Sequence, residues 1–192
     1  MDLLSVNRFD LFVTLFLLGM FVLGFFQGAI RRVLGLLSMI FAFLLAVNLR
    51  GPLGSFLATY WNQFPDEYAI MLGFGIVFVA GTIASSLIIQ GFYKHQSLFA
   101  KATFADEIIG GLLGIVQGLF LIGFIMIVLD SYFDARAFPQ TSSELLFLRG
   151  FHDFYDTSFT AELLRSRLIP GFMNVFGILI PNDLKSFFVT RP

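Results

Sequence analysis

The chain has 192 residues, of which 57% are hydrophobic and only 13% are charged, and its mean hydropathy is +0.86. The formal net charge of -1, without a basic stripe outside the apolar segments, argues against nucleic-acid binding. Because the chain has no cysteine, disulfides, thiol catalysis and cysteine-ligated metals are excluded. This composition indicates a membrane protein whose length leaves room for one membrane domain and a tail.

Four apolar stretches are each long enough for a helical span, since about 20 residues cross a hydrocarbon core about 30 Å thick. We predict the spans at about 10–30, 33–49, 69–93 and 108–130. The short turn between the first two spans predicts an antiparallel hairpin. Gly51-Pro52 is predicted to end span 2. The predicted fold class is therefore all-α, a polytopic membrane protein with four transmembrane helices.

Residues 131–192 form a tail of mixed polar and aromatic character, predicted to contain short amphipathic helices. Thr141-Ser142-Ser143-Glu144 fits a capping box that opens one such helix. Pro170-Gly171 is predicted to break the chain. The apolar segment that follows, Phe172–Ile180, is too short to span a bilayer and is predicted to be interfacial or re-entrant.

The distribution of basic residues in short loops predicts the orientation in the membrane. The loops before spans 2 and 4 hold four of them, Arg31, Arg32, Lys94 and Lys101. The opposite side holds two, Arg8 and Arg50. This excess predicts a cytoplasmic loop between spans 1 and 2, with both termini and the tail outside the cytoplasm.

Glycines recur at four-residue spacing, as Gly24 and Gly28 in span 1 and Gly110, Gly114 and Gly118 in span 4. Glycines at this spacing share one helix face and let a neighbouring backbone come close. The favoured interpretation is tight helix packing, and the alternative is a pore or an oligomer seam. The sequence does not separate packing within one chain from packing between chains.

Polar residues in and near the spans have two readings. Gln117 in span 4 and Gln90 near the end of span 3 are interpreted as partners in hydrogen bonds between helices, with a substrate path as the alternative. Asp10 and Asp130 fall near span ends and are predicted to be interfacial rather than buried. With no ionisable group near mid-span, a proton-driven pump is disfavoured.

Sequence signatures of catalysis are absent. The chain has no Gly-x-Ser-x-Gly elbow, no His-Glu-x-x-His motif and no glycine-rich phosphate loop. His95 and His152 stand alone, and Asp153 and Asp156 lack a partner set for acid–base chemistry. We therefore expect no enzymatic activity, no metal and no cofactor.

Two motifs resemble those of the colicin V production protein (CvpA) family. After Asp10, span 1 ends in Gly24-Phe25-Phe26-Gln27-Gly28-Ala29-Ile30-Arg31-Arg32, which is similar to the family pattern Gly-x-x-Arg-Gly-x-x-Arg-Glu. Span 4 opens with Asp106-Glu107-Ile108-Ile109-Gly110 and continues through Gly114 to Gln117-Gly118, similar to Asp-Arg-x-x-Gly-x-x-x-Gly-x-x-Arg-Gly. The tail element from Ser166 to Pro170 is similar to the family's Ser-x-x-x-Pro.

Four positions depart from the resembled pattern. Gln27 and Gln117 stand where the pattern has arginine, Arg32 stands where it has glutamate, and Glu107 stands where it has arginine. The last two changes are opposite in sign. They suggest the hypothesis of an Arg32–Glu107 ion pair of reversed polarity, with two independent solvated charges as the alternative.

The resemblance implies a bacterial inner-membrane protein needed for colicin V production or export and, more broadly, for envelope homeostasis. The expected partners are the lipid bilayer and either a second copy of the chain or another inner-membrane or secretion protein. We interpret the protein as a scaffold or secretion accessory, and the alternative is a small oligomeric channel or transporter. The motif residues are expected to matter first for assembly, and they are Asp10, Gly24, Gly28, Arg31, Arg32, Asp106, Glu107, Gly110, Gly114, Gln117, Gly118, Ser166 and Pro170.

Overall fold

The computed structural model describes residues 7–61, 65–92, 103–133, 146–182 and 184. Its long helices are α1 (Arg8–Gln27), α2 (Ala29–Tyr60), α3 (Asp66–Phe92) and α4 (Thr103–Phe133). All four are long and apolar enough to cross a membrane, and the described ranges contain no strand. The prediction of an all-α, multi-pass membrane protein is therefore confirmed.

The predicted tail helices are partly described. Three short helices follow the bundle, α5 (Leu146–Asp156), α6 (Phe159–Leu163) and α7 (Ile169–Phe176), and a π-helical turn (Leu164–Leu168) joins the last two. The predicted capping box at 141–144 lies outside the described residues, as do the His95 position and the side chain of Gln90.

The prediction that Pro170-Gly171 breaks the chain is wrong. The backbone stays helical from α6 through the π-helical turn into α7. The change of hydrogen-bond pattern directly before Pro170 places this proline in the first turn of α7. A proline inside a helix removes one backbone hydrogen bond and crowds the preceding turn, and here that preceding turn is the π-helical one, Leu164–Leu168.

The prediction that Gly51-Pro52 ends span 2 is also wrong, since α2 continues to Tyr60. Packing on α3 stabilises this extension, because a Cβ at Gly54 would lie 2.6 Å from the Cα atom of Ile70. At 1.5 Å per residue, the 32 residues of α2 are about 48 Å long. This length exceeds the hydrocarbon thickness of about 30 Å.

The predicted hairpin of spans 1 and 2 has the predicted short turn, since Gly28 alone separates α1 from α2. These two helices nevertheless share few contacts. Instead, α1 packs mainly on α4, and α2 packs mainly on α3. The bundle is therefore built from two packed pairs, α1 with α4 and α2 with α3. Contacts between α2 and α4 join the two pairs.

An aromatic cluster fills the centre of the bundle. The rings of Phe43 on α2 and Phe124 on α4 are stacked, with centroids 4.0 Å apart and planes 13° apart. Phe172 of α7 meets both rings edge-on, at 5.0 Å from Phe124 and 5.5 Å from Phe43. Phe172 and Met173 are buried in this core, whereas Val175, Ile178 and Leu179 of the same predicted segment are exposed. The interfacial or re-entrant placement of 172–180 therefore stays a prediction.

Large apolar side chains cover the outside of the four long helices. Those exposed by half or more on these helices include Leu11, Leu15, Leu18, Leu37, Phe41, Val79, Ile83, Leu87 and Leu112. A helix surface of this kind suits contact with lipid chains. Polar contacts are instead found at the two ends of the bundle.

Candidate functional site

The glycine motif forms a seam between α1 and α4 within one chain. A Cβ at Gly24 would overlap the backbone carbonyl of Gly110, and a Cβ at Gly114 would overlap the carbonyl of Met20. A Cβ at Gly118 would lie 2.9 Å from the side chain of Leu17. In the described structure these glycine faces pack on the chain's own helices, and assembly through a second copy stays a prediction.

Position 28 requires glycine for two reasons, the conformation of its backbone and the lack of space for a side chain. Its φ of 75° lies in the left-handed region that other residues rarely adopt, and it turns the chain directly from α1 into α2. A Cβ at this position would also lie 2.5 Å from Oδ2 of Asp106. The buried Asp106 carboxylate in the first turn of α4 therefore lies against the turn between the first two helices.

Arg32 binds across the bundle to Gln117. Its Nη1 atom donates a hydrogen bond of 2.8 Å to Oε1 of Gln117, and the arginine is only 5% exposed. The Nε atom of Arg32 is buried without a hydrogen-bond partner. The interpretation of Gln117 as a partner between helices is confirmed.

The hypothesis of an Arg32–Glu107 ion pair is wrong. The structure describes both residues, and the described partner of Arg32 is Gln117. Gln117 lies ten positions beyond Glu107 on α4, so the two differ by about 15 Å along the helix axis. The guanidinium reaches the deeper position, at Gln117, and not the first turn of α4.

A polar cavity of about 210 Å³ surrounds this hydrogen bond. Arg31 and Arg32 line it together with Leu23, Gln27, Gly35, Ser86, Ile89 and Gln117. The side-chain amide of Gln117 lies close to Gly35, since a Cβ there would be 3.1 Å from Nε2. The cavity thus brings together residues of three helices, Gln27 of α1, Arg31 and Arg32 of α2, and Gln117 of α4.

At the opposite end of the bundle, Asp10 attaches α1 to the tail. Its carboxylate accepts hydrogen bonds from the backbone N–H groups of Phe159, at 3.2 Å, and Thr160, at 2.9 Å. Ser158 caps the same helix, with its Oγ accepting from the N–H of Ala161 at 3.0 Å. Asp10 therefore stabilises the start of α6 across 149 residues of sequence.

The prediction that Asp130 is interfacial and not buried is wrong, because this residue is fully buried. Arg165 donates two hydrogen bonds to it, from Nε to Oδ2 at 2.8 Å and from Nη2 to Oδ1 at 2.9 Å. The hydroxyl of Tyr155 donates a third, at 2.7 Å, and Nε2 of His152 lies 3.7 Å from Oδ1. Asp156 in turn accepts from Nη1 of Arg165 at 2.7 Å.

Sequence reasoning missed this cluster of Asp130, His152, Tyr155, Asp156 and Arg165. The available signal was the acidic residue at the end of the most apolar span, because a carboxylate in that position needs a partner. The sequence offers several basic residues in the tail and does not indicate which one approaches it.

The order of these features along the chain agrees with a known family. A family model described as Colicin V production protein matches residues 9–175. The chain belongs to the colicin V production protein family. No curated protein and no solved structure matches it.

The family region extends beyond the four long helices and includes α5, α6 and most of α7. Ser166 lies exposed in the π-helical turn, and Pro170 lies half-buried in α7. The structure brings neither residue to the cavity or to the Asp130 cluster. Their position before Phe172 suggests that this motif shapes the chain where it enters the aromatic core.

Proposed function

We propose that this family member acts as a membrane scaffold or secretion accessory in colicin V production or export, and more broadly in envelope homeostasis, without an enzymatic step of its own. The observation that carries the proposal is the closed centre of the bundle. The stacked rings of Phe43 and Phe124, with Phe172 against them, are buried and form an apolar layer between α2, α4 and α7.

The positions of polar groups along α4 support the same proposal. Gln117 and Asp130 are separated by 13 residues, or about 20 Å, and Phe124 lies between them. The cavity at Gln117 is therefore separated by an apolar layer from the Asp130 cluster. A pump or channel needs ionisable or polar groups that continue through this layer.

The glycine seam also bears on the choice between scaffold and oligomeric channel. A ring of protomers built on glycine faces would need those faces free, and Gly24, Gly110 and Gly114 are already in contact within one chain. Among the described residues, the long helices and the tail helices both expose apolar surface on which a partner can bind. We propose that this surface binds another membrane protein of the envelope or secretion machinery.

The experiment is complementation in a colicin V-producing bacterium that lacks its own family member. Secreted and cell-associated toxin activity are both measured, and membrane expression is verified in the same cells. Restored secretion is expected. Well-expressed protein that restores neither activity contradicts the role in toxin production.

A second assay separates the scaffold from the channel. The purified chain is placed in liposomes and the flux of ions and small solutes is measured, with the variant Phe124→Ala beside it. The proposal predicts no selective flux for the native chain. Selective flux that increases when Phe124 is truncated would instead establish a path through the aromatic core.

Orientation is part of the proposal, because a secretion accessory on the predicted topology exposes its tail outside the cytoplasm. Fusions of alkaline phosphatase after residue 192 are expected to be active, since this enzyme needs an extracytoplasmic location. Fusions within the loop between α3 and α4 are expected to be inactive. The reverse result overturns the predicted topology.

A further inference from the structure

We propose that the cavity around Arg32 and Gln117 is a binding site for a phosphate-bearing anion. Both charged residues that line it are arginines, and the described lining includes no carboxylate. The other polar lining residues, Gln27, Ser86 and Gln117, can each donate a hydrogen bond. A cavity with this set of donors favours an oxyanion over a cation or an apolar ligand.

The size of the cavity suits a group larger than a single water. Its volume of about 210 Å³ is an order of magnitude above the roughly 10–15 Å³ that one water requires. Its apolar lining residues, Leu23 and Ile89, lie beside the polar groups. The cavity therefore offers both charged donors and an apolar wall.

The state of Arg32 argues for a ligand rather than for a purely structural arginine. This residue is 95% buried, its single described hydrogen bond is from Nη1 to Gln117, and its Nε is buried without a partner. A buried guanidinium is costly unless its charge is balanced and its donors are used. Neither Glu107 nor Asp106 forms a described hydrogen bond or ion pair with this guanidinium, whose described partner is Gln117.

The location explains why phosphate is the favoured oxyanion. The cavity begins next to the turn at Gly28 and reaches Gly35, seven residues along α2, which corresponds to a depth of about 10 Å. On the predicted topology this end of the bundle lies on the cytoplasmic side, where basic pockets between transmembrane helices bind phosphate-bearing lipid headgroups. The same chemistry would accept free phosphate, and the experiment distinguishes the lipid headgroup from the free anion.

The experiment measures the thermal stability of the purified full-length chain in a neutral detergent. Four additions are compared at matched ionic strength: short-chain phosphatidylglycerol, short-chain phosphatidylcholine, inorganic phosphate and chloride. Stabilisation by phosphatidylglycerol alone identifies a lipid headgroup, and stabilisation by inorganic phosphate identifies a free anion. Either result supports the site. The site is overturned if phosphatidylglycerol stabilises no more than phosphatidylcholine and inorganic phosphate stabilises no more than chloride.

Two variants and a control locate the binding. Arg31→Gln is expected to weaken the effective affinity at least tenfold, because a charge-assisted hydrogen bond is lost. Gly35→Val keeps both arginines and is expected to weaken binding by filling the cavity beside Gln117. The control Arg167→Gln removes an exposed charge from the π-helical turn and should bind as the native chain does.

An equal loss of affinity in Arg167→Gln and Arg31→Gln would show that binding follows net charge and would overturn the site. Unchanged affinity in both Arg31→Gln and Gly35→Val would do the same. Neither readout involves toxin secretion, so this proposal and the proposed scaffold function fail independently.

Discussion

Arg165 holds Asp130 through two hydrogen bonds, of 2.8 and 2.9 Å, although the two residues are 35 positions apart. Asp130 lies in the last turn of α4, the most apolar helix of the bundle, and Arg165 lies in the π-helical turn of the tail. The pair, with Tyr155 as a third hydrogen-bond donor, attaches the tail to the four long helices.

Asp130→Ala is expected to destabilise the protein by about 3 kcal/mol, because removing one partner of a buried pair leaves the other without its compensating charge. Arg165 keeps its bond to Asp156, which places the loss at the low end of the range for buried pairs. The measurement is resistance of the purified protein to unfolding in SDS. Asp153→Asn, at an exposed position on α5, is the control, and an equal loss there would contradict the assigned role of Asp130.

Gly24→Val is expected to abolish accumulation of folded protein, because its Cβ would overlap the backbone of Gly110 and neither backbone can move aside cheaply. The matched control is Gly19→Val on the same helix, where nothing lies within 4 Å of an added Cβ. Membrane expression and resistance to SDS are measured for both. Similar behaviour of the two variants would refute the α1–α4 seam.

Gln117→Leu is expected to destabilise the protein by about 1–3 kcal/mol, because the Nη1 donor of Arg32 loses its acceptor in a buried site. Glu107→Gln should change stability by less than about 0.5 kcal/mol, since Glu107 is not paired with Arg32. SDS titrations of the two variants give the comparison. A larger effect of Glu107→Gln would restore the ion-pair hypothesis.

Asp10→Ala is expected to loosen the start of α6 at a cost of about 1 kcal/mol, the usual contribution of a side chain that caps a helix. The effect should be local, with faster hydrogen exchange at the amides of Phe159 and Thr160, which Asp10 accepts from. Thr14→Ala, one turn along α1, removes only a bond to the carbonyl of Asp10 and is the control. Unchanged exchange in Asp10→Ala would show that this carboxylate does not hold the tail.

The number of spans and the residues of the seam could be predicted from the sequence because both depend on local patterns. The length of an apolar run decides whether a helix can cross the bilayer. Glycines at four-residue spacing must share a face, so Gly110, Gly114 and Gly118 indicated close packing before any partner was known. The sequence also predicts that Gln117 bonds to another helix, because a polar side chain inside an apolar span needs a hydrogen-bond partner.

Only the tertiary structure decided which surfaces meet. Arg32 and Gln117 are separated by 85 residues, and no local pattern distinguishes Gln117 from Glu107 as the partner of Arg32. Asp130 is buried because the tail folds back and brings Arg165 to it, and α2 continues past Pro52 because Gly54 packs on Ile70. In each case the free energy comes from a contact with a distant segment, and such contacts override local signals for surface position and helix termination.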